Sequence, residues 1–192
     1  MAKAKYIESA HEDFHSRLFA YSSDICETDI ASIEIKDNCV LMTTRKDRIL
    51  IEVDPLDFRT APIEILNFSE YEPYEMSIVR LLSPHIDTML DIGANIGWYS
   101  LVIAASNKSA CIHSFEPIPS TFARLENNCL LNNSENINCH NYGFSSTPGS
   151  FPFYFYPEGG INASMRNLSK REDAKVVQCQ LITLDDFSFS SD

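Results

Sequence analysis

One run constrains this chain more than any other: Thr88-Met89-Leu90-Asp91-Ile92-Gly93-Ala94-Asn95-Ile96-Gly97-Trp98. A short apolar segment ends in an acidic residue and two glycines. It then passes straight into helical spacing at Trp98, Leu101, Val102 and Ala105. A strand feeding a helix through so short a glycine-bearing loop belongs to a layered α/β fold. The sequence repeats the pattern. Cys111 to Phe115 reads as a second strand, Pro117 and Pro119 mark a turn, and Ser120 is a candidate helix cap. Phe122, Leu125 and Cys129 then fall on one helical face, Asn132-Asn133 ends that helix, and Ile137 to Phe144 is a third strand. The order β-α-β-α-β with short connections predicts a parallel sheet covered by helices, with right-handed crossovers.

The flanks are less regular. Tyr6 to Phe19 reads as a helix whose Ile7, Ala10, Phe14 and Leu18 share a face. Ile30 to Thr43 alternates, Arg45-Lys46-Asp47-Arg48 is a polar turn, and Ile49 to Val53 is apolar, which together read as a hairpin. Pro55 and Pro62 break the pattern. Glu72 to Leu82 reads as a helix, with Tyr74, Ile78, Leu81 and Leu82 at helical spacing and Ser83-Pro84 as its stop. Beyond the three strands, Thr147-Pro148-Gly149 is a turn and Ser150 to Tyr156 a strand. Pro157 to Leu168 is a loop and Val176 to Leu184 a final strand. The chain therefore divides into an N-terminal helix and hairpin extension, residues 1–65, and an α/β core, residues 66–192.

Composition narrows the function classes. A net charge of −12 does not suit a surface that tracks phosphates, so no nucleic acid partner is expected. No apolar run spans a bilayer and no signal-peptide core follows Met1-Ala2-Lys3-Ala4-Lys5, so the expectation is a cytoplasmic protein without membrane attachment. On that reading, triplets such as Asn162-Ala163-Ser164 carry no glycan. The 6 cysteines include no Cys-x-x-Cys pair and read as reduced thiols, several of them inside apolar patterns.

Open parallel sheets bind ligands at the carboxyl ends of their strands, which points to the loop after Asp91. Gly93 permits a sharp turn and a close approach by a ligand; Gly97 lets the helix start sit tight against the strand. Exposed loop amides suit an anionic group such as a carboxylate, and Asp91 suits a cationic amine or an ordering role. Glu116, in Phe115-Glu116-Pro117, ends the second strand, where a carboxylate accepts hydrogen bonds from both ribose hydroxyls. The pair predicts a nucleoside-containing cofactor. Asn95 stands where a dinucleotide fingerprint needs its second glycine, so NAD ranks second, and no Gly-Lys-Ser/Thr phosphate loop is present. The plainer alternative is that Gly93 and Gly97 only shape a turn.

Other features have a plain reading beside a functional one. His11-Glu12-Asp13-Phe14-His15 matches the zinc-peptidase pattern His-Glu-x-x-His, yet lacks a third ligand; half-exposed packing is simpler, and no metal is expected. His113 reads as a hydrogen-bonded core residue, and Trp98 as packing or a cofactor stack. Tyr71 and Glu72 read as a helix start or a cover over the cofactor pocket. Gly159 to Ser164 is a connection or a substrate lid, and Asp185-Asp186 a solvated strand end.

At Thr88–Ser100 and at Ser114-Phe115-Glu116-Pro117 the sequence resembles the FkbM-type methyltransferases. Leu125-Glu126-Asn127-Asn128, Leu131-Asn132, Tyr71-Glu72 and Leu181-Ile182-Thr183-Leu184-Asp185-Asp186-Phe187 are similar too, so the likeness covers roughly Leu66 to Phe187. It implies a Rossmann-like class I methyltransferase sheet that binds S-adenosylmethionine through Asp91, Gly93, Ala94, Asn95, Gly97 and Glu116. It also implies O-methylation of a hydroxyl on a small molecule, sugar or glycan; no catalytic base is implied. In the family the Thr-Leu-Asp-Asp segment leads into a further core strand, whereas this sequence ends at Asp192. The expectation is a sheet truncated on its C-terminal side, its first strand an open edge unless an oligomer or a partner chain completes it. The alternative function is a non-catalytic fragment or remnant of the fold that acts as a binding or interaction module.

Overall fold

The computed structural model describes residues 2–156, 163–167 and 173–188 and shows an α/β fold. Helix α1 (Ala2–Ala10) runs through a π-helical turn (His11–His15) into α2 (Ser16–Asp24). The expected apolar face does not become a core face: Ile7, Phe14 and Leu18 are all exposed. The chain first packs on the core at Ile25, past the end of α2. Strands β1 (Ile30–Lys36), β2 (Cys39–Thr44) and β3 (Leu50–Val53) then form an antiparallel meander. The expected single strand from Ile30 to Thr43 is thus folded back at Asp37-Asn38. Asn38 adopts φ 64 there, a left-handed conformation that Asn tolerates well in tight hairpin turns.

Pro62 starts structure where it was expected to break it. It lies in the first turn of α3 (Ala61–Phe68), where its fixed φ and missing N–H cost nothing. Helix α4 (Pro73–Leu82) buries Met76, while Tyr74, Ile78, Leu81 and Leu82 stay exposed, so the expected stripe is the outer face.

The βαβαβ unit follows: β4 (Thr88–Ile92), α5 (Trp98–Ser106), β5 (Cys111–Phe115), α6 (Pro119–Leu131) and β6 (Ile137–His140). Its strands are parallel in the order β4-β5-β6, with Leu90 opposite His113 and His113 opposite Asn138. Among the described residues nothing pairs with the far side of β4. Helix α5 buries Leu101, Val102, Ile103 and Ala104; Ala105 is exposed. Ser120 does not cap α6. Pro119 opens the helix, and the Glu116 carboxylate takes the Ile118 N–H just before it, at 2.9 Å. The expected third strand breaks at Asn141-Tyr142. Its remainder, β7 (Gly143–Phe144), joins β8 (Gly149–Phe155) and β9 (Lys175–Ile182) in a separate mixed sheet of order β7-β9-β8. Among the described residues no helix is long and apolar enough to cross a membrane.

One core cluster joins the meander to the parallel sheet, running from Ile30, Met42 and Ile51 through Ile65 and Met76 to Trp98, Ile112 and Leu125. Asparagines of α6 complete the join. The Asn132 side chain accepts from Leu50 N at 2.8 Å and donates to Leu50 O at 2.7 Å. Asn128 accepts from Glu52 N at 3.2 Å and donates to Ile96 O, inside the glycine loop, at 2.9 Å.

Candidate functional site

The loop after β4 folds flat against the end of β5. Gly93, Asn95 and Gly97 all take positive φ (81, 51 and 88). Their reasons differ. A Cβ on Gly93 would meet nothing within 4 Å, whereas one on Gly97 would lie 2.6 Å from Leu125 Cδ1, on the buried face of α6. Four of the loop amides are already paired within the protein. Gly93 and Ala94 N–H both donate to Phe115 O, at 2.9 and 3.0 Å, and Gly97 N–H donates to Ala94 O at 2.8 Å. Asn95 N–H donates to Glu116 Oε2 at 3.0 Å. A turn this tight meets its own backbone demand from the neighbouring strand end.

Glu116 is only 6% exposed, its two oxygens held by Asn95 N–H and Ile118 N–H. Burial raises its carboxyl pKa, the two amides oppose the rise, and the charge of Asp91 adds to it. Asp91 accepts the Ser100 hydroxyl at 2.6 Å, and burial raises its pKa as well. Ser100 in turn lies 2.6 Å from Ser114 Oγ, which ties α5 to both strands. Asp91 and Glu116, separated in sequence by a whole helix, thus face one another across the strand ends.

Between them opens a cavity of about 310 Å³. Asp91, Gly93, Ala94, Asn95 and Glu116 line it together with Thr60, Ala61, Tyr71, Glu72, Trp98 and Tyr99. Gly97 lies behind the loop rather than on this surface. Glu72 is a non-glycine residue at φ 43, a strained conformation that clusters at functional sites. The Tyr99 hydroxyl donates to its Oε2. Burial and the Glu72 carboxylate push the Tyr71 pKa up to about 12, and the same two causes raise that of Tyr99. The described lining residues include three carboxylates and no cation. Asn95 Oδ1 is buried there without a hydrogen-bond partner. Such a cavity suits a ligand that carries positive charge and hydrogen-bond donors.

The remaining candidates lie elsewhere or act as packing. Trp98 is 4% exposed, donates from Nε1 to Met76 Sδ at 3.0 Å and meets the Tyr71 ring edge-on. His113 and His140 share a hydrogen bond of 3.1 Å on the sheet face opposite α5 and α6, and burial lowers both pKa values. His11 and His15 lie on the exposed π-helical turn, and among the described residues no three His, Cys, Asp or Glu side chains form a metal-binding group. Asp186 accepts the Thr183 hydroxyl at 2.6 Å in a terminal turn. Gly159 to Asn162 fall outside the described residues; Ala163 reaches the cavity wall together with Phe153. Sequence reasoning missed Thr60, Ala61 and Phe153 as lining, and only tertiary structure brings them there. It named Asn128 only within the family likeness and gave it no structural role, although a polar side chain between the apolar Leu125 and Cys129 of α6 was a visible signal.

The family model for the methyltransferase FkbM domain matches residues 91–191, just over half of the chain. Methyltransferase 1 of Beauveria bassiana (strain ARSEF 2860) is 29% identical over 94 residues, 49% of this chain and 38% of that protein. Methyltransferase sdnD of Sordaria araneosa is 34% identical over 78 residues, 40% of this chain and 30% of that protein. The matches thus span about a third of each relative's length. The SAM-dependent methyltransferase from Agrobacterium tumefaciens superposes with a TM-score of 0.40 at 13% identity, over 56% of this chain and 33% of that one. With a family model covering both the glycine loop and the Glu116 strand end, the chain belongs to the FkbM methyltransferase domain family.

Proposed function

We propose that this chain binds S-adenosylmethionine in the carboxylate-lined cavity and directs its methyl group to a hydroxyl on a small molecule, sugar or glycan. The observation that carries the reading is Glu116, buried at the end of β5 and fixed by two backbone amides beside Asp91 and the glycine loop. A carboxylate so held accepts the ribose hydroxyls without reorganising. Asp91 offers an acceptor to the ammonium of the amino-acid part, and Asn95 lines the same cavity. Gly93 leaves room for a close approach, Ala94 lines the cavity beside it, and Gly97 holds the loop's shape from behind.

Bound there, S-adenosylmethionine supplies an electrophilic methyl group on a sulfonium. The protein's part is alignment of the acceptor oxygen and removal of its proton. Glu72, which lines the same cavity with one oxygen taken by the Tyr99 hydroxyl, is the side chain we assign to that proton. The test is calorimetric titration with S-adenosylhomocysteine, with Glu116→Ala beside the wild type. Saturable binding that the variant loses supports the assignment. A folded wild type that binds nothing refutes it.

A further inference from the structure

We propose that Cys129 and Cys139 form a reversible intramolecular disulfide when the chain meets a peroxide, and that closing this bond moves α6 against the 93–97 loop. Cys129 lies on the buried face of α6, and Cys139 on β6 directly beneath it. Their sulfurs are 3.7 Å apart, both thiols are free, and the pair needs no backbone segment to refold before it can react. Both thiols line an open depression of about 510 Å³ beside Ser134 and Glu135, which gives a small oxidant a route to them. The other cysteines lie on separate elements: Cys26 in the turn after α2, Cys39 on β2, Cys111 on β5 and Cys179 on β9.

The two sulfurs have different roles. The contact between the two sulfurs favours thiolate at Cys139, while the same contact and burial keep Cys129 protonated. The Cys139 thiolate attacks a peroxide oxygen; an S–O bond forms, the O–O bond breaks, and the departing oxygen leaves as water after taking a proton. The Cys129 sulfur then attacks the resulting sulfenic acid; the S–S bond forms, the S–O bond breaks, and the thiol proton leaves with the hydroxyl as a second water. In sum, two thiols and one hydrogen peroxide give one disulfide and two waters.

The movement is small and directed. A disulfide holds its sulfurs about 2.05 Å apart, so the present separation must close by about 1.7 Å. Cys139 is held by the ladder, opposite Ser114 of β5, so the part of the closure that side-chain rotation does not supply falls on the helix more than on the strand. Next to Cys129 is Asn128, whose amide holds Ile96 O; one turn earlier is Leu125, packed on Gly97. Displacement of α6 therefore reaches the loop through two contacts already in place.

Neither claim depends on cofactor binding, and the test avoids it. The reduced chain is titrated with hydrogen peroxide while free thiols are counted with a chromogenic disulfide. The count falls from 6 to about 4, a peptide map finds Cys129 joined to Cys139, and dithiothreitol restores the count. Cys129→Ser stops at the sulfenic acid of Cys139, so at the same dose it loses one thiol instead of two and forms no crosslink. Amide hydrogen exchange of peptides spanning 93–97 changes on oxidation of the wild type and not of the variant. An undiminished thiol count, a crosslink between other cysteines, or sulfinic acid without a crosslink overturns the disulfide. Unchanged exchange in the crosslinked chain overturns its coupling to the loop.

Discussion

Gly97→Ala and Gly93→Ala separate the two reasons a glycine stands in this loop. Both positions have φ above 80, where an alanine pays the left-handed penalty of about 1–2 kcal/mol. Gly93→Ala adds nothing further, because its Cβ meets no atom within 4 Å. Gly97→Ala drives its Cβ to 2.6 Å from Leu125 Cδ1, and Leu125 is 0% exposed, so its side chain has nowhere to turn. Overpacking of that kind costs about 1–3 kcal/mol, for a total near 2–5 kcal/mol. Most folded domains survive such a loss with a lowered transition midpoint. Urea unfolding followed by the fluorescence of Trp98, the protein's 1 tryptophan and a core residue, reads the difference. Repeating Gly97→Ala in a Leu125→Ala background removes the clashing carbon, so the two substitutions couple by the overpacking amount. The reasoning fails if Gly97→Ala costs no more than Gly93→Ala, or if its cost is undiminished once Leu125 is truncated.

Three further outcomes are expected. Burial raises the carboxyl pKa of Asp91 and Glu116, so these groups stabilise the unliganded chain most below the ordinary carboxylate range and lose that contribution as pH climbs through their folded values. A cationic ligand favours their ionised forms, so S-adenosylmethionine binding releases protons and tightens as pH rises through the same interval, more than S-adenosylhomocysteine binding does; calorimetry in buffers of different ionisation enthalpy with no proton release contradicts this. Glu72→Gln keeps an oxygen for the Tyr99 hydroxyl but cannot take a proton, so kcat falls by about 10²–10⁴ with KM little changed, and an unaltered kcat removes Glu72 from the mechanism. Asn128→Ala leaves Ile96 O and Glu52 N without their partners in the interior and costs about 2–4 kcal/mol by chemical denaturation; a loss under about 0.5 kcal/mol means the join between loop and meander lies elsewhere.

The part of the fold legible in the sequence was the part set by short-range pattern. Asp91, Gly93, Gly97 and Glu116 stand at the ends of short apolar runs, and one strand–helix–strand unit brings them together whatever the rest of the chain does. The turn at Asn38 had a signal, the polar run Lys36-Asp37-Asn38 that interrupts the alternation, and reading Ile30 to Thr43 as one strand overlooked it. Ile7, Phe14 and Leu18 share a helical face as their spacing says, but periodicity names a face and not what covers it. Pro62 reads as a stop only when its place in a helix is unknown. The satisfied loop amides were invisible because their acceptor, Phe115 O, arrives from the next strand. Glu72's left-handed backbone has no sequence signature at all, since nothing about Tyr-Glu-Pro demands it.

The asparagines of α6 have a further consequence. Leu50 and Glu52 carry the outward-facing amides of β3, the last strand of the meander, where another chain could add itself as a new strand. Asn132 meets Leu50 with both a donor and an acceptor, as a neighbouring strand would, and Asn128 takes the next amide along. The helix thereby impersonates a fourth strand. These polar side chains of α6 close this border to intruders, and replacing them opens a template for aggregation.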